Sequence, residues 1–411
     1  MPADLLMPTL TMIKQCSRGH HMIHTIMLRS CRVHWRASHL LPACISSPTL
    51  TPSISATFQP HLSFPVVSYG PRISQFYHST TVTSATQPTS PAELSINSNI
   101  AQSVIEMTGQ SGRLYIVEEV LQQRKIPRRY VYLAKAGSEK FILKKVSDSF
   151  YADHEGLFRP LRGCPNLRIA CDTIPEQFVL VYRYFSDHLL GLAQTDLPTQ
   201  VTKRILKDAL RGLAVLHDHD IVHTDIKPNN ILIDRKQTDS TVVEQVQLAD
   251  LEDSAHVPPG CDIVGKQAGN WMWRSPEAHA SGPVNKPSDI FSFGVVCIYA
   301  VHKRIIFAVS EEELGDGEEI LAHVLERQIS YFADEEGLDA LYKHLGSDNP
   351  WVHVFDILRG GFGKDNPRRP VSLWKDVDPE LRNLVGGLTN FDPAKRLTAR
   401  EALEHPWFKD V

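Results

Sequence analysis

His223-Thr224-Asp225-Ile226-Lys227-Pro228-Asn229-Asn230-Ile231-Leu232 is the stretch on which the reading of this 411-residue chain turns. It sets a carboxylate (Asp225), a cation two residues on (Lys227) and a carboxamide five residues on (Asn230) in one short segment. Transfer of a phosphoryl group needs those three groups close together. The carboxylate accepts or orients the proton of the attacking hydroxyl, the cation balances charge on the moving group, and the carboxamide holds a metal ion. Ile231-Leu232-Ile233 follows as an apolar run able to anchor the loop on a strand. A lone His-x-Asp would be a polar turn; ten ordered residues carry more information than that.

Upstream of this loop, Val201 to His217 has helical period, with Ile205, Leu206, Ala209, Leu210, Leu213 and Leu216 on one face. Downstream, Val246 to Asp250 reads as a strand ending in an acid, and Ser288 to Val296 begins a buried helix. Nearer the N-terminus, Leu114–Val117, Tyr130–Ala134 and Lys140–Lys144 read as strands, the last two joined by the hairpin signal Ala136-Gly137-Ser138-Glu139. Ser149 to Leu161 is helix-like, and Phe178 to Phe185 is a buried strand running on into a hinge. The polar segment from Ser310 to Pro370 is expected to form surface helices and loops.

Composition bounds the partners. Net charge is −4, so no bulk basic field points to nucleic acid. The balance is uneven: residues 1–92 carry six basic side chains against one acid, Asp4. Residues 1–95 are rich in Ser, Thr, Pro and His with no sustained period, so they are expected to stay disordered, as an unstructured tail or a mitochondrial presequence. Cytoplasm or nucleus is the alternative location. Seven cysteines without a C-x-x-C pair fit reduced thiols in an intracellular protein. The longest apolar run, Ile290 to Val301, is too short to span a bilayer.

The loop, together with Phe141-Ile142-Leu143-Lys144, Leu248-Ala249-Asp250-Leu251-Glu252, the segment Gly269 to Glu277 and the end from Asp392 to Phe408, resembles the eukaryotic protein kinase family. Lys227 points to its Ser/Thr type. The resemblance covers about residues 113–411 and implies an α+β, two-lobe protein kinase-like fold. The small antiparallel β lobe with one helix would span 113–185 and the larger, mainly helical lobe 186–411. It implies ATP and Mg²⁺ in the cleft between the lobes, a protein substrate, and a monomer. Residue by residue, it makes Asp225 the base and Lys227 its charge-balancing partner, with Asn230 and Asp250 as Mg²⁺ ligands. Lys144 would meet the α- and β-phosphates, with Glu155 as its carboxylate partner and Asp153 behind it; a solvated helix acid is the alternative for Glu155. Tyr182 would limit the depth of the adenine pocket, and the backbone from Arg183 through Tyr184 to Phe185 would face the adenine ring. Glu277 would pair with Arg396, and Asp289 would brace the loop around Asp225.

Three departures qualify the resemblance. No glycine lies between Gly112 and Gly137, where the family's three would fall at Arg124, Ile126 and Arg129, so close backbone cradling of phosphate is lost. Arg124, Lys125 and Arg129 are read there as a basic, solvated turn. Glu252 replaces a glycine and is expected to add negative charge beside the metal, while Leu251 can still pack inward. Thr224 stands where an arginine usually receives an activation-loop phosphate, and Ser254 and Ser275 are the only hydroxyl side chains between Asp250 and Glu277. That favours a constitutively ordered segment. The first function expected is transfer of the ATP γ-phosphoryl group to protein Ser/Thr hydroxyls. A pseudokinase acting as a nucleotide-binding or scaffolding module is the alternative, and a small-molecule kinase ranks behind both.

Overall fold

The structure, a computed structural model, describes residues 105–124, 129–236, 239–315 and 318–411. The leader at 1–95, Lys125 and Ile126 lie outside the described residues, as does the side chain of Arg124. The described residues fall within one compact unit.

The first lobe is an antiparallel sheet of six strands: β1 (Glu106–Thr108), β2 (Leu114–Arg124), β3 (Arg129–Ala136), β4 (Glu139–Lys145), β5 (Asp172–Ile174) and β6 (Val179–Arg183), in the order β1-β2-β3-β4-β6-β5. The sheet therefore starts ahead of Arg113. Gly137, at φ +63°, makes the two-residue turn between β3 and β4, a backbone state that costs glycine little. Alternation along β4 sends Phe141 and Leu143 into the small-lobe core, with Tyr115, Ala134, Val179 and Val181. Ile142 and Lys144 take the opposite face, and Ile142 lies across from Tyr182 of β6.

The helix-like segment after β4 is not one helix. Helix α1 (Asp148–Asp153), capped by Ser147 accepting from the Phe150 N–H, gives way to a π-turn over His154–Phe158 and a 3₁₀ turn over Arg159–Gly163. Gly156 favours the coil, and Pro160 has no N–H to continue the helical ladder.

The second lobe begins at β7 (Asp187–His188) and α2 (Leu189–Leu192), then α3 (Thr199–Asp218), whose apolar face is buried as its period implies. Short β8 (Ile221–Val222) leads to the loop at Asp225. Strands β9 (Ile231–Lys236) and β10 (Asp239–Leu248) form a three-stranded sheet with β7, and β11 (Ala255–His256) pairs with β8. After α4 (Pro276–His279), the central α5 (Lys286–His302) is buried along most of its length, with Asn285 as its N-cap.

The polar stretch from Ser310 holds α6 (Ile320–Phe332), α7 (Glu335–Leu345) and α8 (Trp351–Gly360). It is not merely surface: Val324, Leu325, Ile329, Leu341, Trp351 and Phe355 join the main core. Helix α7 shows how a polar sequence still makes a firm helix. Asp334 caps it, Glu335 and Glu336 sit at its positive end, and Lys343 and His344 at its negative end. Helices α9 (Pro379–Leu388) and α10 (Ala399–Leu403) complete the lobe. Among the described residues no helix is long and apolar enough to cross a membrane. Cys164, Cys171, Cys261 and Cys297 are free thiols.

Candidate active site

The loop at Asp225 is held from below by one buried carboxylate. Asp289 of α5, 1% exposed, accepts the backbone N–H groups of His223 (2.7 Å) and Thr224 (2.8 Å) and the Nε2–H of His217 (3.0 Å). His223 is wholly buried. With its proton on Nε2 it donates to the Ala249 carbonyl (3.0 Å), while Nδ1 accepts from the Asp225 N–H (3.3 Å). These bonds leave Thr224 at φ +66°, a left-handed conformation that a β-branched residue adopts only when its surroundings insist. The Thr224 hydroxyl donates to the Asp253 carbonyl (2.8 Å), which ties the loop directly to the segment after β10.

Three of the expected site residues converge within this loop. Lys227 Nζ makes an ion pair with Asp225 Oδ2. Asn230 Nδ2 donates to the Asp225 carbonyl oxygen (2.9 Å) and to its Oδ2 (3.3 Å). Register then brings in Asp250: Ile231 of β9 lies opposite Leu248 of β10, and the Ala249 N–H donates to the Asn230 carbonyl (2.8 Å). Asp250 itself sits at φ +65°, a second left-handed non-glycine residue at the same place. Leu251 is buried, as expected for its packing role.

Lys144 reaches this group across the cleft, and its partner is not the one expected. Its Nζ lies 2.7 Å from Asp250 Oδ1 and 2.8 Å from Glu252 Oε1. Glu155 instead pairs with Arg159 (2.7 Å) and His154 Nδ1 (3.2 Å). The π-turn is the setting of this difference: Glu155 lies on it, four residues before Arg159. Glu252 also differs from expectation. It does not stand as a free charge beside a metal, because Arg129 Nη1 holds its Oε2 at 2.5 Å. Arg129 is correspondingly a strand residue in an ion pair, its side chain still 38% exposed. Burial draws the Lys144 ammonium toward neutrality, but the Asp250 and Glu252 carboxylates outweigh it and raise its pKa above the usual lysine value. Burial works on Asp250 in the opposite sense, yet the Lys144 charge keeps its carboxyl below the usual range.

Tyr182 lies on β6 opposite Ile142, and burial pushes its phenol up to about 12. The guanidinium of Arg168 lies 5.2 Å from the Tyr182 ring and 5.5 Å from the Phe185 ring. Its Nη1 is buried without a hydrogen-bond partner, and burial pushes the group down to about 10. Of the backbone groups expected to face an adenine, the Tyr184 N–H is already given to the Lys140 carbonyl (3.1 Å), because Tyr184 extends the β4–β6 edge. The Tyr184 ring is partly exposed beside Lys140.

Arg168 and Arg274 are site residues that motif reading missed. Burial pushes Arg274 down to about 10 while the Asp225 carboxylate opposes the shift, and its guanidinium donates to the Gly269 carbonyl. Arg274 stands inside the Gly269–Glu277 motif, so its position was in view and only its direction was hidden. Gly269 itself is obligatory. At φ +78°, a Cβ there would lie 2.2 Å from the Thr224 carbonyl oxygen. Glu277 and Arg396 form the expected pair through two contacts of 2.6 and 2.9 Å, with side chains at most 1% exposed.

The oxygens present suit a divalent cation shared with phosphate. Asn230 spends its Nδ2 on Asp225, and Asp250 spends Oδ1 on Lys144. Asn230 Oδ1 and Asp250 Oδ2 therefore remain as hard oxygen donors. Among the described residues no cluster of three His, Cys, Asp or Glu side chains could cage an ion. One carboxylate and one amide, completed by phosphate and water, is the donor set that Mg²⁺ accepts.

A β lobe and a helical lobe with these side chains at their junction define the class: a two-lobe kinase fold. The family model for the protein kinase domain matches residues 166–408, more than half of the chain, and the chain belongs to the protein kinase family. Family membership brings with it the general use of ATP and a divalent metal. The match begins only at Asn166, after the glycine-free hairpin and the broken helix. Among solved structures the chain is similar to one in the crystal structure of the yeast RNA Pol II CTD kinase CTDK-1 complex. That likeness has a TM-score of 0.56 at 19% identity and covers 78% of this chain and 97% of that one. At such identity it speaks for the fold alone.

Proposed function

We propose that this chain transfers the γ-phosphoryl group of ATP to Ser or Thr hydroxyls of proteins, acting as a monomer. The observation that carries the reading is the convergence of the Asp225 carboxylate, the Lys227 ammonium and the Asn230 carboxamide in a loop fixed by Asp289. The substrate hydroxyl oxygen forms the new bond to the γ-phosphorus, and its proton passes to Asp225. The bond from the γ-phosphorus to the bridging oxygen breaks, and ADP leaves with the electron pair. Lys227, paired with Asp225, balances charge on the transferring group, and Lys144 meets the α- and β-phosphates from β4. Asn230 Oδ1 and Asp250 Oδ2 would hold Mg²⁺, which supplies electrostatic neutralisation of the phosphate oxygens.

The second reading, a nucleotide-binding or scaffolding pseudokinase, is favoured by one observation: Lys144 is engaged by two carboxylates, in a lobe whose phosphate-covering turn has no glycine. The two readings separate on the purified chain. Thermal stabilisation by ATP is measured with and without Mg²⁺, then transfer of radiolabelled phosphate to a Ser/Thr-containing protein by wild type and Asp225→Asn. Turnover that falls at least about 10²-fold in Asp225→Asn, with the ATP-induced thermal shift retained, supports transfer; general-base contributions are about 10²–10⁴-fold. A thermal shift without Asp225-dependent turnover leaves the binding module.

A further inference from the structure

Lys144 has two acidic neighbours, and their surroundings differ. The Asp250 side chain is 42% exposed, and the contact through Oδ1 leaves Oδ2 uncommitted. The Glu252 side chain is 13% exposed, and both its oxygens face cations: Oε1 faces Lys144 at 2.8 Å and Oε2 faces Arg129 at 2.5 Å. The contact between Lys144 and Glu252 Oε1 is ionic, without the alignment of a hydrogen bond. A divalent cation bound at Asp250 would compete with Lys144 for that carboxylate, whereas Glu252 is held on its other oxygen by Arg129. Glu155, the first carboxylate expected for Lys144, is held by His154 of the π-turn and by Arg159 just after it.

We propose that Glu252 is the positioning residue for Lys144, replacing a helix glutamate, and that Arg129 locks it in place. Arg129 opens β3, and β3 pairs with β4 through Val131 opposite Lys144. The chain Arg129–Glu252–Lys144 thus ties two adjacent strands of the small lobe to the segment that carries Asp250. The ammonium is set by the sheet and that segment, so its placement does not depend on any movement of residues 148–163. The residue whose arrival removes a glycine is also the one that makes the usual partner dispensable. The consequence for catalysis rests on the phosphoryl-transfer reading; the pairing itself does not.

The test uses the reactivity of Lys144 in the full chain without nucleotide, so it gives an answer whether or not the protein turns over. Labelling of Lys144 by an amine-reactive acetylating reagent is followed by peptide mass spectrometry between pH 8 and 10. The reagent attacks only the neutral amine, and one unit of pKa is a tenfold change in that fraction. Glu252→Gln is expected to raise the Lys144 labelling rate about tenfold, Glu252→Asp to restore most of the protection, and Glu155→Gln to leave the rate within about twofold. Circular dichroism melts confirm folding at the labelling temperature. If Glu252→Gln is unfolded there, Glu252→Met is compared with Glu155→Met, and a rise confined to the former supports the pairing. An unchanged rate in folded Glu252→Gln or Glu252→Met, or a larger rise in the matching Glu155 variant, overturns the proposal. Where wild type shows turnover, Glu252→Gln should lower kcat at least tenfold with KM for ATP changed by less than about threefold, since phosphate is bound by a lysine still present but no longer aimed. Absence of wild-type turnover would count against the transfer reading while leaving the labelling result intact.

Discussion

Replacing Glu277 by Gln is expected to destabilise the large lobe by about 3–5 kcal/mol, the usual cost of leaving one member of a buried ion pair unpartnered. The size follows from the surroundings. The Arg396 side chain is 0% exposed, and both of its terminal nitrogens rest on Glu277. Its other bonds go to the Asn390 and Pro287 carbonyls, with the Phe291 ring 5.1 Å away, and none of these carries a full negative charge. At about 2–4 °C per kcal/mol for a domain of this size, melting should fall by about 6–20 °C. The pH dependence gives the sign a second check. Burial pushes the Glu277 carboxyl up, but Arg396 outweighs burial and holds it below the ordinary 4.5. Its contribution is therefore complete above pH 4.5 and lost as pH falls through the lowered value. Wild type and Glu277→Gln should differ fully at pH 7 and converge progressively below pH 4.5. Circular dichroism melts across that range read both effects. A loss under about 2 °C at pH 7, or a gap that widens in acid, would refute the reasoning.

Two further outcomes follow from the site. Arg168→Leu should raise the melting temperature, because a buried, unsatisfied Nη1 costs about 1–3 kcal/mol that leucine does not incur; a drop of several degrees would show that the guanidinium has a stabilising role beside Tyr182 and Phe185. Phosphatase treatment should leave activity unchanged. Ser275 is fully buried against Ser288 and Ser254 leans on the His223 carbonyl, while Thr224 already ties the loop to Asp253. A phosphate on either serine that raised turnover many-fold would count against a constitutively ordered segment.

The sequence by itself determined the parts of this protein that act through near neighbours. Asp225, Lys227 and Asn230 meet because a short loop cannot separate them, and the 3.6-residue period of α3 and the alternation along β4 fix which faces are apolar. The Glu277–Arg396 pair was also legible, since each partner sits in a long motif. Tertiary structure decided the pairings between distant charges. Lys144 could have met any of several acids within reach, and local pattern does not rank ion pairs that lie more than a hundred residues apart, as Lys144 and Asp250 do. Glu155 is held by Arg159 four residues on, and folding of β3 and β4 over the Asp250 segment gave Glu252 two cations, Arg129 and Lys144. The same applies to Arg168, which no motif singles out and which folding sets against the Tyr182 and Phe185 rings. Charges interact over distances that only the folded chain sets, whereas apolar periodicity is written along the chain itself.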